Sequence, residues 1–219
     1  MSYEGEGMSN LFYINDYKII DKEVHRKNEN YMIHIKTLSP DYRNIDDCIG
    51  RMLWEGEEIL GNFMCNEFVE GKRILEVGAG VGYASFCCKG AKEIVISDYL
   101  DDILQLEQDN IELNKDVIPN VQSIKLDWFN VDLLSEKYDY IIGSEIFYTK
   151  ELVDPLMKTI SFLLKKNGKC LIVNNVLRYL NCEKEYYDAI QKYQLKAELI
   201  PLSEGNVCCT YNKFIITLN

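Results

Sequence analysis

The chain has 219 residues, 47% hydrophobic and 27% charged, with only four prolines, enough for one well-buried core and a little more. No run approaches the roughly 20 apolar residues that span a bilayer. A formal net charge of −11, from 35 acids against 24 bases, disfavours a nucleic-acid surface, which needs cations to meet phosphate. It suits a cationic protein partner and serves solubility equally well.

The start, MSYEGEGMSNL, is acidic and has no apolar centre. It reads as a short disordered tail over residues 1–9 rather than a signal peptide, and the expectation is a soluble, intracellular protein, cytoplasmic with the nucleus open. Residues 10–50 contain two period-two apolar stretches, LFYINDYKII and NYMIHIKTL, with no helix between them. They predict a hairpin packed against the main domain, which spans 51–219.

From residue 72 apolar runs alternate with helical patterns. KRILEV predicts a strand, ASFCCKG a short helix closed by Gly90, and EIVISD a second strand. DDILQLEQDNIELN places Ile103, Leu106, Ile111 and Leu113 near one helical face. VQSIKL and YDYIIGS read as strands, and ELVDPLMKTISFLL as a helix with Pro155 in its first turns. Gly168 turns into the strand KCLIVNN, EKEYYDAIQKY is helical, and LKAELIPL and CCTYNKFIITL form a closing antiparallel pair. The alternation predicts an α/β fold: a mostly parallel sheet covered on both faces.

The eight cysteines include the adjacent pairs Cys87–Cys88 and Cys208–Cys209, and Cys170 lies in an apolar run. No two are spaced C-x-x-C, and His25 and His34 stand outside any cluster. The expectation is reduced, structural thiols, structural or surface histidines, and no metal.

Residues 74–82, ILEVGAGVG, carry the chemistry. Gly78, Gly80 and Gly82 follow a strand and let backbone approach a ligand closely. A dinucleotide loop reads G-x-G-x-x-G, whereas here Tyr83 holds the third glycine's place. Glu76, one residue before the loop's first valine–glycine step, suits a ligand's amino group better than a pyrophosphate. A tight strand–helix turn is the plain alternative. Asp98 ends the next strand, where an acid can accept from two ribose hydroxyls; it could instead cap the following helix, although Asp101 is better placed for that. Asp127 and Trp128, in LDW after the third strand, could take an adenine amino group and cover the ring, or be ordinary loop residues. In series these residues describe an amino-acid end, a ribose and an adenine: S-adenosylmethionine.

With these motifs the sequence resembles the seven-strand, Rossmann-like S-adenosylmethionine-dependent methyltransferases, through ILEVGAGVG and the acidic SDY of the second strand. It is most similar to methyltransferase family 16, enzymes that mostly methylate lysine in proteins. MLWEGEEILGNFM resembles that family's tryptophan-led helix, LDW its acid and tryptophan after the third strand, and SEIFYTKELVDPLMKTI its D-x-x-Y segment and proline-containing helix; Arg178 with Tyr186–Tyr187 is a weaker match. The resemblance covers roughly residues 50–219, and the N-terminal hairpin agrees with it. It implies a seven-stranded, mostly parallel sheet with an antiparallel C-terminal strand. Trp54 would close over the cofactor, Glu76 would meet the methionine amino end, and Gly78, Gly80 and Gly82 would admit the backbone. Asp98 and Tyr99 would hold the ribose side, Asp127 and Trp128 the adenine, and Ser144 would border the methyl group. Glu145 and Tyr148 would be catalytic, with Tyr148 or Phe147 as a cation–π wall. One departure is that Glu145 stands where the family has aspartate, keeping the charge but reaching one methylene further. Helix packing competes for Trp54, and core packing for Phe147 and Tyr148.

The implied function is methyl transfer to a protein lysine, with a protein partner that is cationic at its target. Two other readings stay open: methylation of a small molecule or of another protein side chain such as histidine, and a non-catalytic cofactor-binding interaction protein.

Overall fold

A computed structural model describes residues 16–27, 29–39, 49–133, 135–202 and 210–219. The expected tail over 1–9, residues 10–15 and 40–48 of the N-terminal elaboration, and Cys208–Cys209 lie outside the described residues.

Strands β1 (Tyr17–Arg26) and β2 (Glu29–Leu38) form a separate antiparallel hairpin, paired from Tyr17↔Leu38 to Arg26↔Glu29. Its outer edge is closed by a helix, α3 (Asp101–Asn114). Asn110 and Asn114, one turn apart on α3, act as side-chain rungs. Asn114 Oδ1 accepts from His34 N at 2.8 Å and its Nδ2 donates to His34 O at 2.7 Å. Asn110 Oδ1 accepts from Lys36 N at 2.6 Å and its Nδ2 donates to Lys36 O at 3.2 Å. The edge amides are thereby satisfied without a third strand.

Helix α1 (Glu55–Asn66) leads into the main sheet. The sheet comprises β3 (Arg73–Val77), β4 (Glu93–Asp98), β5 (Val121–Lys125), β6 (Tyr138–Ser144), β7 (Leu164–Asn175), β8 (Leu195–Leu202) and β9 (Tyr211–Leu218), ordered β5-β4-β3-β6-β7-β9-β8. The first five are parallel, and β9 runs antiparallel to both β7 and β8. The closing hairpin is as expected, but its second strand enters between β7 and the first. Strand β7 also starts earlier than the turn placed at Gly168. It begins at Leu164, with an irregular register between Tyr138 and Tyr140. A Cβ at Gly168 would stand 2.8 Å from Leu164 Cδ1 and 3.0 Å from Asp139 O, so glycine lets the strand bend there.

The central strands β3, β4, β6 and β7 are buried on both faces over most of their length, which is why they read as apolar runs, whereas the outer strands β5 and β8 are largely exposed. Residues alternate between two cores. Ile74, Ile94, Ile96, Ile142, Leu171 and Val173 pack with Leu60 and Met64 of α1 and Phe86 of α2 (Tyr83–Phe86). Leu75, Val95, Ile141 and Ile172 face α4 (Lys150–Leu163) through Leu156, Met157 and Ile160. Short α5 (Val176–Leu180) and α6 (Glu183–Lys192) follow β7. Cys65, Cys87, Cys88, Cys170 and Cys182 are buried free thiols. Among the described residues no helix is long and apolar enough to cross a membrane.

Candidate active site

A cavity of about 720 Å³ opens at the carboxyl ends of β3, β4 and β6, the end at which parallel sheets hold ligands. Its size falls within the roughly 300–1,000 Å³ of small-molecule sites. Gly78, Gly80, Asp98, Tyr99, Asp127, Trp128, Ser144, Glu145, Tyr148 and Trp54 all line it. Residues from five separate segments, far apart in sequence, therefore meet in one place.

The glycine loop forms one wall. Gly80 has φ of +55°, and a Cβ there would stand 2.8 Å from Gly50 O, so the loop and the Gly50 segment touch backbone to backbone. At Gly78 a Cβ would meet Ile146 Cγ2 at 3.1 Å and the Trp128 ring at 3.3 Å, filling the space between loop and indole. Gly82 sits deeper. With φ of +75° it caps the one-turn helix α2 and packs under Ile96 and Phe86, away from the cavity lining.

Asp98 Oδ1 accepts from Tyr99 N at 2.8 Å and Leu100 N at 3.3 Å. Burial holds its carboxyl above the usual range, against hydrogen bonds from these amides and from Gly80 N–H. Leu100, not Asp101, occupies the cap position of α3; Asp101 is the first helical residue and its carboxylate meets Lys125 Nζ at 2.6 Å. Asp127 is partly engaged in its own turn, where Oδ1 accepts from Phe129 N at 3.0 Å and Oδ2 from Asn130 Nδ2 at 2.6 Å. Each oxygen keeps a lone pair for a ligand.

Glu76 does not face the cavity. It shares the strand parity of Ile74, so its side chain points beneath α2, where Oε2 accepts from Ser85 N at 3.0 Å and the residue is 1% exposed. The acid at the cavity wall is Glu57, which sequence reasoning passed over. Glu57 Oε1 accepts from Tyr83 N, and the residue lies in the lining. The signal was present: Glu57, Leu60 and Met64 share one face of α1, and an acid on that apolar face needs a reason. Burial pushes the Glu76 carboxyl up to about 7. Burial and the neighbouring Glu76 both raise Glu57.

Glu145 leaves β6 with φ of +55°, an uncommon conformation for a residue with a side chain. Its N–H donates to Val173 O at 2.9 Å. Its carboxylate, 8% exposed, accepts from Arg178 Nη1 at 3.3 Å and from Asn175 N at 3.4 Å. Burial raises its carboxyl and the Arg178 cation opposes that rise. Arg178 also lies over the Trp54 ring, 4.8 Å from the centroid. Tyr148 borders the cavity and its phenol is raised by burial, then by Tyr99 and Asp98. Phe147 is not a cavity wall. It is fully buried, with its ring 5.2 Å from Phe214 and 5.4 Å from Tyr186. Among the described residues no cluster of three or more histidine, cysteine or acidic side chains could hold a metal ion.

Known proteins resemble this chain in both sequence and fold. The protein N-terminal and lysine N-methyltransferase EFM7 of Debaryomyces hansenii is 29% identical over 177 residues, 70% of this chain and 68% of its own length. A calmodulin-lysine N-methyltransferase of Arabidopsis thaliana is 33% identical over 56% of this chain. A histidine protein methyltransferase 1 homolog of Dictyostelium discoideum is 31% identical over 57% of it. The chain spans 43% and 42% of the last two proteins' lengths, less than half of each. A solved structure of a putative S-adenosylmethionine-dependent methyltransferase from Streptococcus mutans superposes over 90% of this chain and 55% of its own with a TM-score of 0.64 at 15% identity, a likeness of fold. The profile of methyltransferase family 16, described as lysine methyltransferase, matches residues 34–193, and the chain belongs to that family.

Proposed function

We propose that this chain, through its domain over 51–219, is an S-adenosylmethionine-dependent methyltransferase acting on a lysine side chain of a protein. The observation that carries the acceptor half is Glu145, a nearly buried carboxylate on the cavity wall beside Ser144 and Tyr148. The fit to the cofactor rests on the side-chain-free wall at Gly78 and Gly80, on the carboxylate of Asp98, and on the Trp128 indole, which line one cavity. S-adenosylmethionine supplies an electrophilic methyl group on a sulfonium, already activated for an in-line displacement.

The chain's own residues supply alignment and exclusion of water. Asp98 accepts from the ribose hydroxyls, Asp127 from the adenine amino group, and Trp128 covers the ring, with Tyr99 beside the ribose. Glu57, at the wall where Glu76 is not, meets the methionine ammonium. Trp54 closes the cavity from the N-terminal side. Glu145 attracts the acceptor ammonium and Tyr148 offers it an aromatic face. A carboxylate beside an amine raises the amine's pKa, so Glu145 orients the acceptor and desolvation with a water path takes the proton. The net charge of −11 supports a target segment that is cationic. A second reading, another protein side chain such as histidine, is favoured by the name of the Dictyostelium relative.

The test compares wild type with Glu145→Ala and Tyr148→Phe. Both variants are expected to keep the thermal shift produced by S-adenosylmethionine and to lose turnover. Unchanged turnover in both would remove these roles.

A further inference from the structure

Arg178 is placed with some care. Asn175 caps α5, its side-chain oxygen accepting from Leu177 N at 2.9 Å and Arg178 N at 3.5 Å, and this sets the third residue of the helix over the cavity. Its guanidinium lies between a carboxylate, Glu145 at 3.3 Å, and an aromatic face, Trp54 at 4.8 Å, and all three side chains line the same cavity as Gly78 and Asp98. A carboxylate facing an indole is a receptor for one cation.

An acceptor ammonium aimed at Glu145 would meet the guanidinium first, and two like charges cannot share that space at short range. Arg178 has somewhere to go. Its side chain is 40% exposed against 8% for Glu145, and α5 is only five residues long with Leu177 largely in solvent. One cation leaves as another arrives, so the charge at Glu145 is conserved and no proton moves in the exchange.

We propose that Arg178 is a built-in stand-in for the acceptor cation: it fills the Glu145–Trp54 subsite until an ammonium displaces it. This rests on the lysine reading for the identity of the displacing group. It makes Arg178 a specificity residue. A charged acceptor competes for the subsite, whereas a neutral one has no hold on Glu145 and leaves the guanidinium in place.

The test measures binding of n-butylammonium by saturation-transfer NMR near pH 8, where the free amine is a cation. It uses wild type, Arg178→Met and Arg178→Met/Glu145→Gln. Arg178→Gln, which loses the same charge, repeats the measurement should the methionine variant fail to fold. Loss of the half-exposed pair and the cation–π contact predicts about three- to tenfold tighter binding in the neutral variants, and the gain should vanish when Glu145 is also neutral. Equal or weaker binding in both neutral variants, or a gain that survives Glu145→Gln, would overturn the proposal. No methyl transfer is needed for this readout, so it stands or falls separately from the acceptor assignment, which is tested by mapping the labelled residue.

Discussion

Gly56 and Glu145 are fitted to each other. A Cβ on Gly56 would stand 2.8 Å from Glu145 Oε1 and 3.1 Å from its Cγ, with Tyr211 Cε1 at 3.2 Å. The glutamate's extra methylene therefore occupies the room left by a residue without a side chain, and this places its carboxylate under Arg178. Gly56→Ala is expected to displace the carboxylate and lower methyl transfer by about tenfold or more, since misplacement of a reacting geometry by an ångström is costly. Binding of S-adenosylmethionine should persist. Adding Glu145→Asp should recover part of the loss, a coupling that steady-state kinetics on the four proteins would measure.

Gly80→Ala attacks the other wall. Its Cβ would stand 2.8 Å from Gly50 O, on a backbone at φ of +55°. Strain of about 1 kcal/mol or more and a displaced loop are expected, with affinity for S-adenosylmethionine down at least about tenfold. Calorimetric titration checks it, and an unchanged affinity would mean that the loop does not bear on the cofactor.

Glu57 and Glu76 give a contrast. Glutamine at 57 can still accept from Tyr83 N but carries no charge, so Glu57→Gln is expected to weaken S-adenosylmethionine by about tenfold, the scale of a charge-assisted hydrogen bond. Glu76→Gln should leave the affinity within about twofold, because this side chain lies behind the loop. Burial and the neighbouring Glu76 raise the Glu57 carboxyl, so an ammonium that pairs with it expels a proton, and affinity should rise with pH until Glu57 ionises in the free protein. The opposite ranking in a titration of the two variants would contradict the placement.

Glu107 predicts a pH dependence of stability. It is fully buried, takes one hydrogen bond from Ser123 Oγ, and leaves Oε1 without a partner. Burial pushes its carboxyl up from 4.5 to about 9. A carboxyl raised in the folded state favours the protonated form, so its contribution is complete below about pH 4.5 and is lost as pH rises through about 9. Glu76, raised to about 7, acts in the same direction. Thermal midpoints should therefore fall on going from about pH 6 to about pH 9, and Glu107→Gln should flatten part of that fall. A variant with the wild-type slope would show that Glu107 does not titrate there.

Local pattern made the elements legible. The spacing predicts the α3 helix over 101–114, and the structure has it there with Ile103 and Leu106 buried; Leu113, expected on the same face, is 37% exposed, and Asn110 and Asn114 hold buried positions against the hairpin instead. The position of β9 between β7 and β8 was not legible, since strand order is set by contacts between segments rather than by any one of them. The cofactor motifs placed Gly78, Gly80, Asp98, Asp127 and Trp128 at one cavity, because a strand's end and the loop after it are local features. Glu76 misled for want of parity. A residue at a strand end points to one face or the other, and counting from Ile74 sends it beneath α2. The meeting of Trp54, Glu145 and Arg178 joins residues from three distant segments, and only the folded chain brings them together.

Transfer to a protein lysine is read out by methyl transfer from radiolabelled S-adenosylmethionine into a lysate of cells lacking this protein, followed by mapping of the labelled residue. Label is expected on a lysine of a protein and should be lost with Glu145→Ala. Label confined to the small-molecule fraction, or mapped to a residue other than lysine, would contradict it.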